Sequence, residues 1–451
     1  MGDDGMQTGE TAKSTEGLPK GLYLLFTAEM WERMSYYGMR ALLVLYMTRA
    51  TEKGGFGWSR ASALELYGWY TAFVYLTPLL GGTLADRVLG QRRAVLLGGT
   101  LMMAGHFLMA VPGVGAFYAA LVCLVVGNGF FKPNISAMVG GLFKPGDPRR
   151  DAGYTVFYMG VNLGAALAPL VCGTLGEKVG FHWGFASAGV GMLLGLLVFV
   201  VGASRFLGDI GHPPAAPAPA PDSPYLREAE QPTGLDSVAK DRLLVIFVLS
   251  FFNIFFWAAF EQAGGLMTLY TEEKVDRHVF GWEMPTSWFQ VFNPAFILLL
   301  GPVAAKIWTT LAKQKRDLAI PRKLALGLIL MGSGFLFMVA AARETANGGK
   351  AALLWVVLAY LLHTLGELCL SPIGLSMISR LAPKSMVSLM MGVWFLSIAV
   401  GNKIAGTTGS YAEKLGELAL FGGLVVAACS AGAILWLVSP VLVKRMHGAG
   451  E

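Results

Sequence analysis

The chain has 451 residues, 55% of them hydrophobic and only 14% charged, with 58 glycines and 21 methionines. A soluble domain carries about 25% charged residues, so this composition excludes one and points to a membrane protein with many spans, where glycine lets helices approach closely. The formal charge of +6 does not mark a nucleic-acid binder, because the basic residues lie in short loops between apolar runs, where the positive-inside rule expects them.

The first twenty residues, MGDDGMQTGETAKSTEGLPK, are polar and do not form a cleavable signal peptide. A spanning helix needs roughly 20 apolar residues. Twelve such runs are predicted, over 21–48, 64–86, 94–112, 115–143, 153–175, 184–204, 242–270, 287–309, 322–342, 351–381, 386–409 and 417–442. An even number puts both termini on one side. The loops and tails of that side carry 22 Lys and Arg against 9 on the other, which predicts a multi-pass protein of the cell inner or plasma membrane with cytoplasmic termini.

Between the sixth and seventh runs, residues 206–240 include GHPPAAPAPAPDSP, a Pro/Ala tract expected to be extended and too short for further spans. It separates an N-terminal bundle (1–205) from a C-terminal bundle (241–451). The predicted fold class is an all-α membrane protein of 12 transmembrane helices in two six-helix bundles about a central cavity, an architecture of transporters. The four cysteines stand singly in apolar runs and read as small buried hydrophobes, with neither disulfide nor metal spacing.

The first run contains AEMWERMSYYGMRA, with Glu29, Glu32, Arg33 and Arg40 inside a span. On a helical wheel these four and Tyr36 share an arc of about 100°, flanked by Tyr37. A charge at the bilayer centre costs about 2.5–3.5 kcal/mol even on insertion scales, so the stripe must face protein or a wet cavity and marks function by default. In chain order the other deep ionisable groups are Lys132 in GNGFFKPNIS, Glu261 in FFWAAFEQAGG and Glu367 in LLHTLGELCLSPIG. His106 and Lys403 lie toward the outer ends and are expected to reach the interface as structural residues. His363, one turn from Glu367, reads as a packed histidine able to tune it.

Depth sorts the charges. At 1.5 Å per residue, Lys132 and Glu32 both lie roughly 16 Å from the cytoplasmic ends of their spans, whereas Arg40 and Glu261 lie farther out. Arg40 is therefore expected to pair with Glu261, and Lys132 with Glu367 or Glu32, as two gates on opposite sides of a central site.

These residues bring a family into view. The chain resembles the proton-dependent oligopeptide transporters of the major facilitator superfamily, as a bacterial-type member. The first span looks like their Glu-x-x-Glu-Arg-Phe-x-Tyr-Tyr-Gly signature, with Met34 in place of Phe, and FYMGVNLGA (157–165) looks like a second signature. FFKPN, FEQ and GELCLSPIGLS match in the fourth, seventh and tenth spans, and LADRVLGQRR (84–93) is similar to the superfamily loop between spans two and three.

The resemblance implies symport of protons with di- and tripeptides. It implies that Arg33 and Lys132 hold the peptide carboxylate, and that Glu367, with Asn162 and Asn293, holds its amino group. Tyr36, Tyr37, Tyr75, Trp257 and Trp394 would line side-chain pockets. Animal members carry a His seven residues before Tyr-Leu-Thr-Pro. Here Gly68 stands there, so Glu29, Glu32 and Glu261 are left for proton coupling. The chemistry is consistent: a zwitterion needs a cation and an anion at fixed separation. A carboxylate in a low-dielectric cavity gains proton affinity, and an adjacent cation takes it away, so making and breaking an ion pair switches protonation.

Expected partners are a peptide, protons and the lipid bilayer, with the chain a monomer. No nucleic acid, cofactor or metal is expected, the proton gradient being the driving force. The alternative is a proton-coupled transporter of another small solute, a drug or small anion, on the same fold. An enzyme or ATP-driven pump is disfavoured, since no nucleophile–base pair, metal spacing or phosphate loop is present.

Overall fold

Residues 17–144, 147, 149–213, 236–383 and 386–449 are described by a computed structural model, and among them run twelve long helices. These are α1 (Lys20–Thr48), α2 (Arg60–Leu84), α3 (Gln91–Met109), α4 (Val114–Gly141), α5 (Arg150–Ala168), α6 (Phe181–Phe206), α7 (Ser237–Phe260), α8 (Phe292–Lys313), α9 (Ile320–Glu344), α10 (Leu353–Leu381), α11 (Val387–Ser410) and α12 (Glu417–Arg445). Nine helical stretches among the described residues are long and apolar enough to cross a membrane on composition alone. Helix α1 misses that mark because Glu29, Glu32, Arg33 and Arg40 interrupt it. Most of the Pro/Ala tract, residues 214–235, lies outside the described residues, as does Lys384.

Buried apolar side chains form two main clusters, one from α1–α6 and one from α7–α12. Helix α2 packs on α11 through Gly68 and Gly406. A Cβ at Gly68 would meet Gly406 Cα at 2.9 Å, so the approach needs glycine on both sides. Two of the helices start on a side-chain cap: the Ser59 side chain accepts Ser62 N–H before α2, and Asp236 accepts Ala239 N–H at 2.6 Å before α7.

Besides the second, which ends in a wider turn over Ala85–Leu89, three spans depart from the predicted continuous runs. The seventh breaks after Phe260 into a 3₁₀ turn, Glu261–Gly264, and a short helix, Leu266–Lys274, because Gly264 and Gly265 hold the ladder weakly. The fifth leaves α-geometry at Pro169, which has no N–H to give, and continues as wider turns over Pro169–Gly173 and Leu175–Val179. The eighth opens with a 3₁₀ turn, Thr286–Val291. Before it, His278–Val279 and Trp282–Glu283 form a small hairpin, and Val275–Asp276 pairs in parallel with Ala351–Ala352; no strand was expected from the sequence.

The first residue of α1 and the last of α12 lie at one end of the molecule. At the opposite, far end the bundles are pinned together. Arg49 Nη2 meets Glu272 at 2.6 Å, Arg60 Nη1 meets Glu273 and Glu417 at 3.2 Å each, and Lys178 Nζ donates to the Glu283 carbonyl at 2.9 Å. Two expectations are corrected here. Lys403 does not reach for an interface: it bonds Glu65 on α2 and lies 4.8 Å from the Trp69 ring centre, tying α11 to α2. His106 is wholly buried inside the N-terminal bundle, with neither ring nitrogen hydrogen-bonded.

Candidate functional site

The charged stripe of α1 is buried along its length, with Glu29, Glu32, Arg33 and Arg40 each under a tenth exposed. A buried charge persists only when paired, and Arg33 is paired on its own helix. Its guanidinium grips Glu32, with Nη2–Oε1 at 2.6 Å, and reaches Glu29 Oε1 at 3.3 Å. It also donates to Asn128 Oδ1 on α4 at 3.4 Å and lies over the Tyr36 ring at 5.2 Å. Glu29 Oε2 has no hydrogen-bond partner. One turn along α4 from Asn128, Lys132 sits in the field of Arg33, Glu32 and Glu29, with Nζ 4.3 Å from the centre of the Tyr75 ring.

Two turns farther along α1, Arg40 crosses to the other bundle. Its Nη2 lies 2.8 Å from Glu261 Oε1. Its Nε donates to the Tyr67 hydroxyl at 2.8 Å, and that hydroxyl donates in turn to Glu261. The break after Phe260 presents Glu261 here, at the start of a turn rather than on a continuous helical face.

Beneath this pair lies a cavity of about 970 Å³, counting the space that opens to solvent. Tyr36, Tyr37 and Arg40 line it from α1, Tyr75 from α2, and Tyr158 and Asn162 from α5. From the other bundle come Trp257, Phe260 and Glu261, then Gln290 and Asn293, then Tyr360, His363 and Glu367. Asn293 Nδ2 donates to Glu367 Oε2 at 2.8 Å and to Thr364 Oγ1 at 3.1 Å, which fixes the carboxylate on the α10 wall. On the facing wall the Asn162 amide is turned to the Tyr158 carbonyl at 2.9 Å. Tyr75 and Trp257, 6.1 Å apart, face each other across the two bundles. Aromatic walls with few fixed polar groups suit a small polar ligand of variable side chain.

Of the residues singled out in the sequence, Tyr36, Tyr37, Arg40, Tyr75, Asn162, Trp257, Glu261, Asn293 and Glu367 meet at this cavity, and Glu29, Glu32, Arg33 and Lys132 form the charged group beside it. Trp394 does not line it: 4% exposed, its ring packs on α10 at Gly374. Lys132 and Glu367 are not paired in this conformation, each having the partner named above. His363 packs against the Phe335 ring, 4.5 Å between ring centres, with its Nε2 unpartnered, while Glu367 is held by Asn293. Sequence reasoning missed Tyr67, Tyr158, Gln290 and Tyr360. Two of them carried a signal: Tyr158 is one turn before Asn162 in FYMGVNLGA, and Gln290 one turn before Asn293.

The whole chain has relatives among known proteins. The family model PTR2, described as the POT family, matches residues 92–212 and 233–421. The chain is 38% identical to the peptide transporter YePEPT of Yersinia enterocolitica, over 96% of each chain. It is 32% identical to a di-/tripeptide transporter of Lactococcus lactis subsp. cremoris, over 97% of this chain and 98% of the relative. A crystal structure of a peptide transporter POT in complex with sulfate superposes with a TM-score of 0.88 at 38% identity, covering 95% of this chain and 96% of that one.

Proposed function

The chain belongs to the POT family of transporters, and from that premise we propose that it imports di- and tripeptides with protons by alternating access. It is a transporter rather than an enzyme, as its relatives are. The observation that carries the reading is the cavity between the bundles, with Glu367 fixed by Asn293 on one wall and the cationic pair Arg33 and Lys132 on the other side. A peptide zwitterion fits that polarity, its amino group toward Glu367 with Asn293 and Asn162, its carboxylate toward Lys132 and Arg33.

The distribution of Lys and Arg supports a reading with cytoplasmic termini in an inner or plasma membrane. In that orientation the far-end contacts close the outside, and the conformation faces inward. The proton gradient is the driving force, with Glu29, Glu32 and Glu261 as the proton-carrying groups. In proteoliposomes, an inward-directed proton gradient should concentrate a labelled dipeptide, and a protonophore should abolish this. Accumulation of a small anion or drug in place of peptide, with no competition by di- or tripeptides, would instead establish the alternative substrate.

A further inference from the structure

The Glu367 wall of the cavity and the turn that carries Glu261 are joined through side-chain hydrogen bonds within the C-terminal bundle. Asn293 holds Glu367 and also donates to the Thr364 hydroxyl, which donates to the Tyr360 carbonyl at 2.8 Å. The Tyr360 hydroxyl leaves α10 and donates at 3.3 Å to the carbonyl of Ala263. That carbonyl belongs to the 3₁₀ turn opened by Glu261. It takes a second hydrogen bond, at 2.8 Å, from the Thr268 hydroxyl, and Thr268 Oγ1 in turn accepts the Gln290 side chain at 3.2 Å. Gln290, Asn293, Tyr360 and Glu367 line the cavity, whereas Thr268 does not and is 3% exposed.

We propose that Thr268 and Tyr360 are positioning residues that tie occupancy of the cavity to the Arg40–Glu261 pair by jointly holding the Ala263 carbonyl. This rests on the reading of the cavity as the peptide site. Two hydroxyls on one carbonyl fix the turn, and the fixed turn keeps Glu261 within 2.8 Å of Arg40. A peptide amino group arriving at Glu367 competes with Asn293 for the carboxylate. A peptide polar group reaching Gln290 draws away the donor that orients Thr268. Either event slackens the hold on the turn and frees Glu261 to separate from Arg40. Buried hydrogen-bonded networks respond as units, so losing one member is felt at the other end. A double-mutant cycle measures the coupling directly.

The probe is Leu269→Cys, on full-length protein whose four native cysteines are replaced. Leu269 belongs to the C-terminal bundle yet is 1% exposed within the N-terminal bundle's core, so it labels only when the far end parts. Thr268→Val should raise labelling about tenfold, Glu261→Gln should raise it too, and the two together should be no more than Glu261→Gln alone. Thr268→Ser keeps the hydroxyl and should restore the parent level. In proteoliposomes the ratio of proton-driven accumulation to counterflow should fall about tenfold in both Thr268→Val and Tyr360→Phe. Parental labelling in Thr268→Val, or additive labelling in the pair, overturns the proposal. If the parent moves no peptide yet labelling is non-additive, the positioning role stands and the peptide reading falls.

Discussion

Arg40 and Glu261, from opposite bundles, meet at 2.8 Å with the Tyr67 hydroxyl taking a hydrogen bond from the first and giving one to the second. All three are buried. Truncating one member of a buried pair leaves a bare charge and costs about 3–5 kcal/mol, whereas removing both leaves none. Arg40→Ala and Glu261→Ala should each increase labelling of a far-end cysteine, and the double variant should fall well short of their sum. Strictly additive effects would detach the pair from closure of the far end. Glu261→Gln and Glu32→Gln should abolish accumulation against a gradient; either variant still concentrating peptide would remove that residue from proton coupling.

Carboxylate recognition has its own signature. Lys132 lies beside Arg33, whose guanidinium is already engaged by Glu32 and Glu29. On the proposed reading, Lys132, with its Nζ over the Tyr75 ring, is the readier cation for an incoming carboxylate. Loss of one buried charged partner costs about 2–5 kcal/mol, so Lys132→Ala should lower uptake of ordinary dipeptides by roughly 30-fold or more. C-terminally amidated dipeptides should compete poorly with the unmutated protein. If they compete as well as the free acids, Arg33 and Lys132 serve another purpose.

The second expected pair, Lys132 with Glu367, is open here while Arg40–Glu261 is closed. Two gates that alternate require this opposition. Cysteines at 132 and 367 should therefore crosslink with a short bifunctional reagent when the outer gate is disabled by Glu261→Ala, and far less in its presence. Equal crosslinking in both backgrounds would show that the gates do not alternate.

Gly68 stands where the resemblance puts a histidine in animal members, and its packing gives a physical reason for the difference. A Cβ there meets Gly406 Cα at 2.9 Å and the Lys403 carbonyl at 3.2 Å. Overpacking of this kind costs about 1–3 kcal/mol, so Gly68→Ala should lower the thermal midpoint in detergent. At Gly392, on the same helix pair, a Cβ finds only Leu79 at 3.5 Å, and Gly392→Ala should leave the midpoint unchanged. A Gly68→Ala protein as stable as the parent would contradict the close α2–α11 packing.

The charged stripe of α1 was legible because ionisable residues inside a span are rare and must share a face, and twelve apolar runs with a Pro/Ala tract carry the fold. The tyrosines were not legible in this way. Tyr67 and Tyr360 are as ordinary in a membrane helix as any aromatic residue, and nothing in their spacing separates a hydrogen-bonding hydroxyl from packing. The break at Glu261 was hidden because Gly264 and Gly265 fit a continuous apolar run as well as a turn. Trp394 shows the converse: its type suits a pocket wall, but only the neighbouring Gly374 decides that its ring packs against α10 instead.

The far end has a second closure that owes nothing to paired charges. Both oxygens of Glu177, past the end of α5, accept backbone N–H groups of the other bundle, from Thr286 and Ser287 at 2.8 Å each. Beside them Trp288 Nε1 donates to the Thr174 hydroxyl at 2.8 Å. Hydrogen bonds to a charged acceptor contribute about 1.5–3 kcal/mol each, so this contact rivals a single ion pair. An amide can offer only one acceptor oxygen, and its NH₂ group opposes the second N–H. Glu177→Gln should accordingly raise labelling of Leu269→Cys by about tenfold, or 1.4 kcal/mol, in the outward direction. Because the carboxylate meets backbone atoms, no charge reversal on the other bundle can rescue Glu177→Lys, unlike an Arg40–Glu261 swap. Unchanged labelling in Glu177→Gln would leave the far-end closure to Arg40, Tyr67, Glu261 and the remaining contacts between the bundles there.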